Sequence, residues 1–309
     1  MKKKLLILVA LPTRDNDFQV EQACAAEEAA QKLNVDVHIV YADNDAVTQS
    51  TQVLKSIQAV PDSRPDAVVL GPVGSDALPR VARAACEAGI GWAVLNRSPS
   101  YVAELRGHRT APIFSITSDH REIGRIQGRQ FAALLPEGGW VLYIEGPAHS
   151  TSARMRTDGM LETKPSNINV RTLRGQWTEE SAQRTVRSWL NLATSRKATV
   201  DLIGAQDDSM AMGARKALEG IVDASNRDAW MKLPFTGCDG VPKTGQTWVR
   251  NGLLAATIYN PPLAGVAVET LVRAIREGYE PPEQSKTLPF SIPALTALRP
   301  WNPPTGVGT

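Results

Sequence analysis

The stretch KLLILVALPTRDNDFQVEQACAAEEAAQKLNVDVHIVY, residues 4–41, contains a complete strand–helix–strand pattern. Residues 5–11 and 35–41 are short apolar runs rich in branched side chains, which is typical of strands. Between them, residues 18–33 carry apolar positions at helical spacing. Two strands that are joined through a helix in this way run parallel in one sheet. The stretch therefore predicts a parallel α/β sheet with helices packed against it.

The same alternation of apolar runs and helical stretches continues along the chain. Further strands are predicted at residues 67–70, 91–95, 113–117, 140–145, 168–173, 200–205, 235–238 and 255–259. Further helices are predicted at residues 47–59, 77–88, 122–135, 179–193, 209–218 and 263–278. Most of the strands are unbroken apolar runs, which indicates that helices cover both faces of the sheets.

The alternation is interrupted at residues 97–112, which are rich in charges and turn-forming residues. A new series of strands and helices then begins with a helix that is capped by Ser118 or Asp119. The 309 residues of the chain correspond to about two domains at roughly 150 residues per domain. The tail from Pro281, with a β-like run at residues 287–292, is too short for a third. We therefore expect two α/β domains.

Charge and cysteine content exclude several classes of protein. Thirty-four Lys and Arg against 32 Asp and Glu give a net charge of +2, which argues against a nucleic-acid-binding protein, where a basic face is expected. The cysteines Cys24, Cys86 and Cys238 lie on separate predicted elements and lack zinc-ligand spacing. We therefore expect buried free thiols and no disulfide.

The motifs of common cofactor sites and active sites are absent from the sequence. The turn after the first strand, residues 12–16, lacks the Gly-x-Gly-x-x-Gly of dinucleotide sites. Neither a phosphate-binding Gly-x-x-x-x-Gly-Lys-[Ser/Thr] nor a Gly-x-Ser-x-Gly elbow occurs. No two histidines have the i, i+4 spacing of a zinc protease helix; they are His38, His108, His120 and His149. We expect no cofactor, no metal and no enzymatic activity.

The beginning of the chain combines Lys2, Lys3 and Lys4 with the apolar residues 5–11. This run is far too short to cross a bilayer, and it lacks the small-residue cleavage site of a secretory leader. We interpret it as a buried strand. A periplasmic location then requires a leader upstream of Met1 that was removed, and otherwise the protein is cytoplasmic.

Polar and aromatic residues follow directly after the predicted strands. In open α/β sheets, ligands bind beyond the carboxyl ends of the strands. The residues at these positions are Asp15, Asn16, Phe18, Asn96, Arg97, Arg154, Arg156, Gln176, Trp177, Gln206, Asp207, Asp208, Asp239 and Asn260. Such a set supplies donors and acceptors for hydroxyl groups, and flat rings for C–H faces. It predicts a neutral polyol as the ligand.

The strings TRDNDF, LNRSP, STSARMRTDGM, AQDDSMAMGARKAL, GCDG and LAATIYNPP occur in this order between residues 13 and 262. In order and spacing they resemble the ribose-type periplasmic sugar-binding proteins, whose fold is shared by the effector cores of lactose-repressor-type regulators. The resemblance covers residues 4–292. It implies two doubly wound parallel-sheet lobes, joined by a three-strand hinge, with the ligand in the cleft between them. The implied lobes are residues 4–115 plus 261–288 and residues 116–260 plus 289–309.

The resemblance also implies which residues bind the ligand. The matched positions are Asn16, Phe18, Asn96, Arg97, Arg156, Trp177, Asp207, Asp239 and Asn260. Asn16 is implied to form a hydrogen bond with the sugar, and Phe18 and Trp177 to stack on its opposite faces. Arg97 and Arg156 match the two arginines of the family's site, and Asp239 and the other matched polar residues complete it.

Three of these positions depart from the pattern of the ribose-binding proteins. Asn96 replaces a usual aspartate, Asp207 a usual asparagine and Asn260 a usual glutamine. The total number of acidic residues in the site is unchanged, but an acidic residue has moved from one lobe to the other. Another pentose, a hexose or a cyclitol therefore fits as well as ribose. Asp207 and Asp208 can also divide helix capping and ligand binding between them.

Each matched residue has a structural interpretation as well. Asn16 can simply cap the first helix, and Phe18 and Trp177 can be packing residues. Arg154 and Arg156 are two residues apart and face different sides of a helix. We assign the ligand contact to Arg156 and a structural ion pair to Arg154.

The leading hypothesis is a binding protein that closes two lobes on a neutral sugar or cyclitol and delivers it to an ABC-type transporter. It implies a membrane permease or sensor as the partner, a monomer, and no nucleic acid. The alternative is a cytoplasmic ligand-sensing domain of a signalling or transcription-regulatory system, because three unpaired cysteines suit a reducing compartment. A third reading, an enzyme that uses Asp207 and Asp239 as acid and base, has no supporting motif.

Overall fold

The chain divides into two compact units in the computed structural model. The first unit comprises Met1–Ser118 and Pro261–Thr287, and the second comprises Asp119–Asn260 and Leu288–Thr309. The residues that the structure describes are 4–74, 77–107, 111–195 and 198–301. His108 and residues 302–309 of the predicted second lobe lie outside them.

The first unit contains a six-stranded parallel sheet. Its strands are β1 (Leu6–Leu11), β2 (Asp36–Tyr41), β3 (Ala67–Leu70), β4 (Gly91–Leu95), β5 (Ile113–Ser118) and β11 (Gln284–Thr287). They lie in the order β11-β5-β4-β3-β1-β2, and every pair is parallel. The helices are α1 (Asp17–Leu33), α2 (Ala46–Ile57), α3 (Pro79–Glu87), α4 (Tyr101–Arg106) and α11 (Ala264–Glu277). Because β5 pairs with β4 and β11, the whole strand lies in this unit. The first segment of the unit therefore ends at Ser118, three residues after the predicted boundary at 115.

Helices cover both faces of this sheet, as the side chains of β1 demonstrate. Ile7, Val9 and Leu11 belong to a buried cluster with residues of α1 and α11. Leu8 and Ala10 belong to a second cluster with residues of α2, α3 and α4. Successive side chains of a strand point to opposite faces, so an unbroken apolar run is what a doubly covered strand requires.

The second unit contains a four-stranded parallel sheet and a short antiparallel pair. Its strands are β6 (Gly139–Glu145), β7 (Ile168–Arg174), β8 (Leu202–Ala205), β9 (Phe235–Thr236), β10 (Thr257–Tyr259) and β12 (Phe290–Ile292). The parallel sheet has the order β7-β6-β8-β9, and β10 pairs antiparallel with β12. The longer helices are α5 (His120–Leu134), α6 (Thr151–Thr163), α7 (Glu179–Leu190), α8 (Asp208–Glu219), α9 (Ala224–Met231) and α10 (Gly245–Arg250). Isolated bridges join Asp239 to Tyr259 and Thr236 to Ala256, so parallel pairing continues from β9 towards β10.

The structure corrects the sequence-based elements in two places. The β-like run at residues 287–292 is not one strand, because β11 ends at Thr287 and pairs with β5, whereas β12 pairs with β10 in the other unit. The helices α4, α9 and α10 were not predicted, and α6 was implied without bounds, by the placing of Arg154 and Arg156 on a helix. None of the residues of α9 is fully buried. Its two large apolar residues, Trp230 and Met231, are adjacent at its end and pack against the core, so they do not form a helical pattern along the segment.

Helices α5 and α6 approach each other through glycines. A Cβ atom on Gly124 would lie 2.0 Å from the carbonyl oxygen of Arg156, and one on Gly159 would lie 2.0 Å from the carbonyl oxygen of Arg121. No other residue permits backbones to come so close. Glu162 forms ion pairs with Arg121 and with a second arginine of α5. These contacts hold α6, and with it the side chain of Arg156, firmly against α5.

Candidate functional site

Arg156 of α6 lies at the centre of the polar residues in the second unit. Its side chain is 5% exposed, and its Nη1 atom donates a hydrogen bond to the carbonyl oxygen of Gln206. Its Nη2 atom lies 3.7 Å from Oδ1 of Asp239. Burial by itself lowers the pKa of this guanidinium, but the acidic groups of Cys238, Asp239 and Asp207 raise it, and the net shift is upward. Arg156 is therefore a buried, permanently charged donor.

Trp177 follows β7 and adds an aromatic surface beside Arg156. The guanidinium carbon of Arg156 lies 5.5 Å from the centroid of the Trp177 ring, within the range of a cation–π contact. The indole also lies against Gly146, where a Cβ atom would come within 2.2 Å of the ring. The ring is half-buried and packs partly against the core of this unit. Both the packing and the ligand-stacking interpretation are compatible with this position.

The adjacent residues Asp207 and Asp208 have different roles. Asp207 is the N-cap of α8 and accepts a hydrogen bond from the backbone N–H of Met210 over 2.6 Å. Asp208 accepts hydrogen bonds from the backbone N–H of Gly240 over 2.7 Å and from the hydroxyl of Thr257 over 2.6 Å. Burial, and secondarily the charge of Asp239, raise the pKa of Asp208 well above its ordinary value.

Asp208 is also enclosed by backbone. A Cβ atom on Gly237 would lie 2.2 Å from Oδ1 of Asp208, and one on Gly245 would lie 2.0 Å from Oδ2. Its carboxyl group therefore joins the loops around it, and we place it in the framework of the unit rather than on its ligand surface.

Asp239 and Asn260 follow β9 and β10, and the structure brings them together. The Asn260 side-chain nitrogen lies 3.5 Å from Oδ1 of Asp239, and the Asn260 backbone N–H donates to the Asp239 carbonyl over 3.0 Å. The neighbouring Cys238 is fully buried, and burial raises the pKa of its thiol well above the ordinary value. In the second unit, all the predicted residues thus lie at the carboxyl ends of the strands.

Asn16 and Phe18 of the first unit lie at the carboxyl end of β1. Asn16 is the N-cap of α1 and accepts a hydrogen bond from the backbone N–H of Gln19 over 3.2 Å. The capping role therefore holds for Asn16. Phe18 is 8% exposed, so most of the ring is covered by the protein itself.

Asn96 and Arg97 follow β4, which ends at the same edge of the sheet as β1. The Ser118 hydroxyl donates to the side-chain oxygen of Asn96 over 3.4 Å, and Nη1 of Arg97 donates to the Asn96 carbonyl over 3.0 Å. Burial lowers the pKa of Arg97 from its ordinary value. The two residues form one polar corner of the first unit.

Three of the predicted binding residues have a left-handed backbone. The φ angles are 58° at Asn96, 62° at Trp177 and 100° at Asp239. Asn tolerates this region, but a bulky aromatic residue there is an outlier. Such strain costs about 1–3 kcal/mol and is concentrated at functional sites. A positive φ does not by itself mark these strand ends, because Asn34, Asp43, Asn44, Ala77 and Leu78 share it.

Gln206 belongs to the polar set that the sequence placed after the strands, but no individual role was predicted for it. It is fully buried, and its side chain joins the loop after β6 to helix α6 through Gly146, Ala153 and Thr157. Its place between β8 and the paired aspartates was visible in the sequence. Its partners are 49 to 60 residues away in the chain, so no local pattern could have revealed them.

Within residues 4–74, 77–107, 111–195 and 198–301, no group of three or more His, Cys, Asp or Glu side chains is arranged to hold a metal ion. In the same part of the chain, no helix is both long and apolar enough to cross a membrane.

Residues 7–279 match the family model described as the periplasmic binding protein domain. The chain belongs to this family. The ribose import binding protein of Escherichia coli K12 is 28% identical over 279 residues, which cover 89% of this chain and 86% of that protein. The resemblance inferred from the six sequence strings is therefore confirmed.

Two solved structures illustrate the fold of the family. One is an ABC transporter periplasmic solute binding protein from Actinobacillus succinogenes 130z with bound D-allose, with a TM-score of 0.79 and 22% identity over 93% of this chain and 97% of that one. The other is the Caulobacter myo-inositol binding protein bound to myo-inositol, with a TM-score of 0.75 and 20% identity over 94% of each chain. The predicted α/β class with parallel sheets is confirmed.

Proposed function

We propose that this periplasmic binding protein binds an uncharged sugar or cyclitol and delivers it to an ABC-type transporter. The observation that carries the proposal is the buried Arg156, held between Asp239 and the Trp177 ring at the carboxyl edge of the second sheet. A ring with hydroxyl groups needs such fixed donors and acceptors beside a flat apolar surface. The ribose-binding relative adds that a family member of this length serves sugar import.

Charge balance supports an uncharged ligand. Arg97 and Arg156 supply two positive charges, and Asp207 and Asp239 supply two negative ones. Asp208 is left out of this count because Gly237 and Gly245 enclose its carboxyl group, whose pKa burial raises. A carboxylate or phosphate on the ligand would disturb this balance, whereas hydroxyl groups would not.

The proposal assigns Asn16, Phe18, Asn96 and Arg97 of the first unit to the same ligand as the residues of the second. Contacts from two units favour a closed state through its higher affinity for the ligand. The partner is then a membrane permease or sensor, the protein acts as a monomer, and its location is periplasmic after removal of a leader. No catalytic step and no nucleic acid are involved.

The alternative function is a cytoplasmic ligand-sensing domain. The observation in its favour is that Cys24, Cys86 and Cys238 are all free thiols, as is usual in a reducing compartment. Fractionation of the source cells separates the two functions. Protein in the periplasmic fraction supports import, and protein confined to the cytoplasm supports sensing.

A thermal-shift screen tests the binding function directly. The panel contains pentoses, hexoses, cyclitols, sugar acids and sugar phosphates, and a ligand that binds the folded protein raises its melting temperature. We expect the largest shift from an uncharged compound, confirmed by calorimetry, with the compound recovered unchanged after incubation. A sugar acid or phosphate as the tightest ligand would contradict the charge argument, and formation of a product would contradict a pure binding protein.

A further inference from the structure

Gln206 is a buried side chain with four hydrogen-bond partners at the edge of the second sheet. It is 0% exposed. Its Oε1 atom accepts a hydrogen bond from the backbone N–H of Gly146 over 2.9 Å. Its Nε2 atom lies within hydrogen-bond distance of three oxygens, the Ala153 carbonyl at 2.9 Å, the Thr157 hydroxyl at 3.0 Å and the Tyr143 hydroxyl at 3.1 Å.

The partners of Gln206 are the segments that carry Arg156 and support Trp177. Ala153 and Thr157 flank Arg156 on α6, and the Gln206 carbonyl accepts the Nη1 donor of that arginine. Gly146 forms the surface against which the Trp177 indole lies. One amide therefore sets the position of both the charged donor and the aromatic surface, although it lies beneath them.

A second buried amide fixes the orientation of the first. The Tyr143 hydroxyl accepts from Gln206 and donates to Oε1 of Gln127 over 2.7 Å, and Nε2 of Gln127 donates to the Ala205 carbonyl over 2.7 Å. The chain of hydrogen bonds thus returns to the residue before Gln206. An amide that is fixed at both ends cannot rotate without leaving a buried polar group unsatisfied, which is costly.

We infer that Gln206 is a positioning residue for sugar binding, which acts by holding Arg156 and the support of Trp177 at a fixed separation. The inference rests on the proposed function, since it concerns affinity for the sugar. A buried glutamine with no role in the site would affect only the stability of the fold.

Gln206→Met tests the inference, and Gln130→Met is the matched control. Gln130 is also 0% exposed in this unit, and its Nε2 atom bonds to the Thr257 carbonyl and the Ser291 hydroxyl, on strands β10 and β12. The probe is whichever of D-ribose, D-allose and myo-inositol binds the wild type most tightly by calorimetry. We expect Gln206→Met to weaken binding at least tenfold and Gln130→Met less than twofold, with both variants losing stability in denaturant melts.

Gln206→Glu allows a second measurement, the pH dependence of sugar affinity, which would not change if Gln206 only stabilised the fold. A protonated glutamic acid retains one donor and one acceptor, whereas an ionised one has no donor for the Ala153 carbonyl. The affinity of this variant should therefore fall as the pH rises, relative to the wild type at each pH, while Gln130→Glu loses stability but keeps the wild-type pH profile of affinity. This variant also tests the inference if Gln206→Met does not fold.

The outcomes are distinct. Three results would overturn the positioning role and leave the binding function intact. They are wild-type affinity in Gln206→Met, equal losses of affinity in Gln206→Met and Gln130→Met, and a pH profile of affinity in Gln206→Glu that is parallel to that of the wild type. A wild-type protein that binds none of the three probes would overturn the proposed function, and this inference with it.

Discussion

Gly146→Ala is the substitution that most directly tests whether the Trp177 ring contacts the ligand. A Cβ atom on Gly146 would lie 2.2 Å from Cζ2, 2.3 Å from Cη2 and 2.6 Å from Cε2 of Trp177. Ordinary contact begins at 3.4 Å, so the ring and the loop must separate by the difference, about 1.2 Å. The new methyl group does not touch the ligand in this interpretation, and it displaces only the surface on which the ligand stacks.

The size of the effect follows from this displacement. Overpacking of a well-packed contact costs about 1–3 kcal/mol. If the displaced indole is a wall of the site, part of that cost appears as weaker binding, and we expect an affinity loss of about tenfold, which corresponds to about 1.4 kcal/mol. If the indole is only a packing residue, the whole cost appears as lower stability.

Calorimetry with the best sugar of the screen, together with denaturant melts, measures the two parts separately. Gly74→Ala is the control, because a Cβ atom there would meet nothing within 4 Å. Phe in place of Trp177 removes the outer ring atoms that the methyl group would meet, so Gly146→Ala should be less harmful in a Trp177→Phe background. Wild-type affinity in Gly146→Ala, beside a clear loss of stability, would refute the assignment of Trp177 to the ligand.

Three further predictions concern single side chains of the second unit. Arg156→Ala should abolish measurable sugar binding in calorimetry, because it removes the buried charged donor of the site. It should also lower the free energy of unfolding by about 3–5 kcal/mol, because it removes one partner of a buried ion pair. Trp177→Phe should keep most of the affinity, whereas Trp177→Ala should lose about 1–3 kcal/mol of it by calorimetry through lost apolar contact. Asp208→Asn should remove a pH dependence of the free energy of unfolding. The pKa of Asp208 is raised in the folded state, so the protonated carboxyl group stabilises the fold at low pH. This contribution is lost as the pH rises above the ordinary pKa of 3.8. The free energy of unfolding of the wild type, relative to that of Asp208→Asn, should therefore fall as the pH rises from 3.8 through the raised pKa of the folded state.

Each of these has a contrary result. Undiminished binding in Arg156→Ala would remove that arginine from the ligand site. Equal affinities in the Phe and Ala variants of Trp177, with a stability loss of about 3–5 kcal/mol in the latter, would assign the ring to the core. A stability difference between Asp208→Asn and the wild type that is constant with pH would show that Asp208 is ionised in the folded state.

The sequence predicted those parts of the fold that depend on local hydrophobic pattern. The helices α1 and α11 begin and end within one residue of their predicted bounds. Their apolar residues recur at helical spacing, and strands β1, β3 and β4 of the first sheet are unbroken apolar runs. The exceptions are segments without such a pattern, notably β11, whose sequence QSKT has no apolar residue and which is a strand because β5 offers it a free edge.

The candidate site divides in the same way. The sequence placed Asn, Asp, Arg and aromatic residues after the strands, and parallel strands bring those positions to one edge whatever the detailed packing is. It predicted that Asp207 and Asp208 can divide helix capping and ligand binding, but not that Asp207 is the cap and that Gly237 and Gly245 enclose Asp208. Adjacent residues of a chain point in different directions once the backbone is fixed, so only the structure separates their roles.

What the sequence by itself determined is therefore the α/β class and the identity of the residues that follow the strands, since both follow from short-range periodicity and the order of elements. Only the tertiary structure decided that α6 lies against α5 through Gly124 and Gly159, and that Gln206 links two segments around Arg156. These contacts join residues far apart in the chain and depend on distances of a few tenths of an ångström. A pattern of residue types carries no information at that scale, because close packing is a property of the whole folded chain.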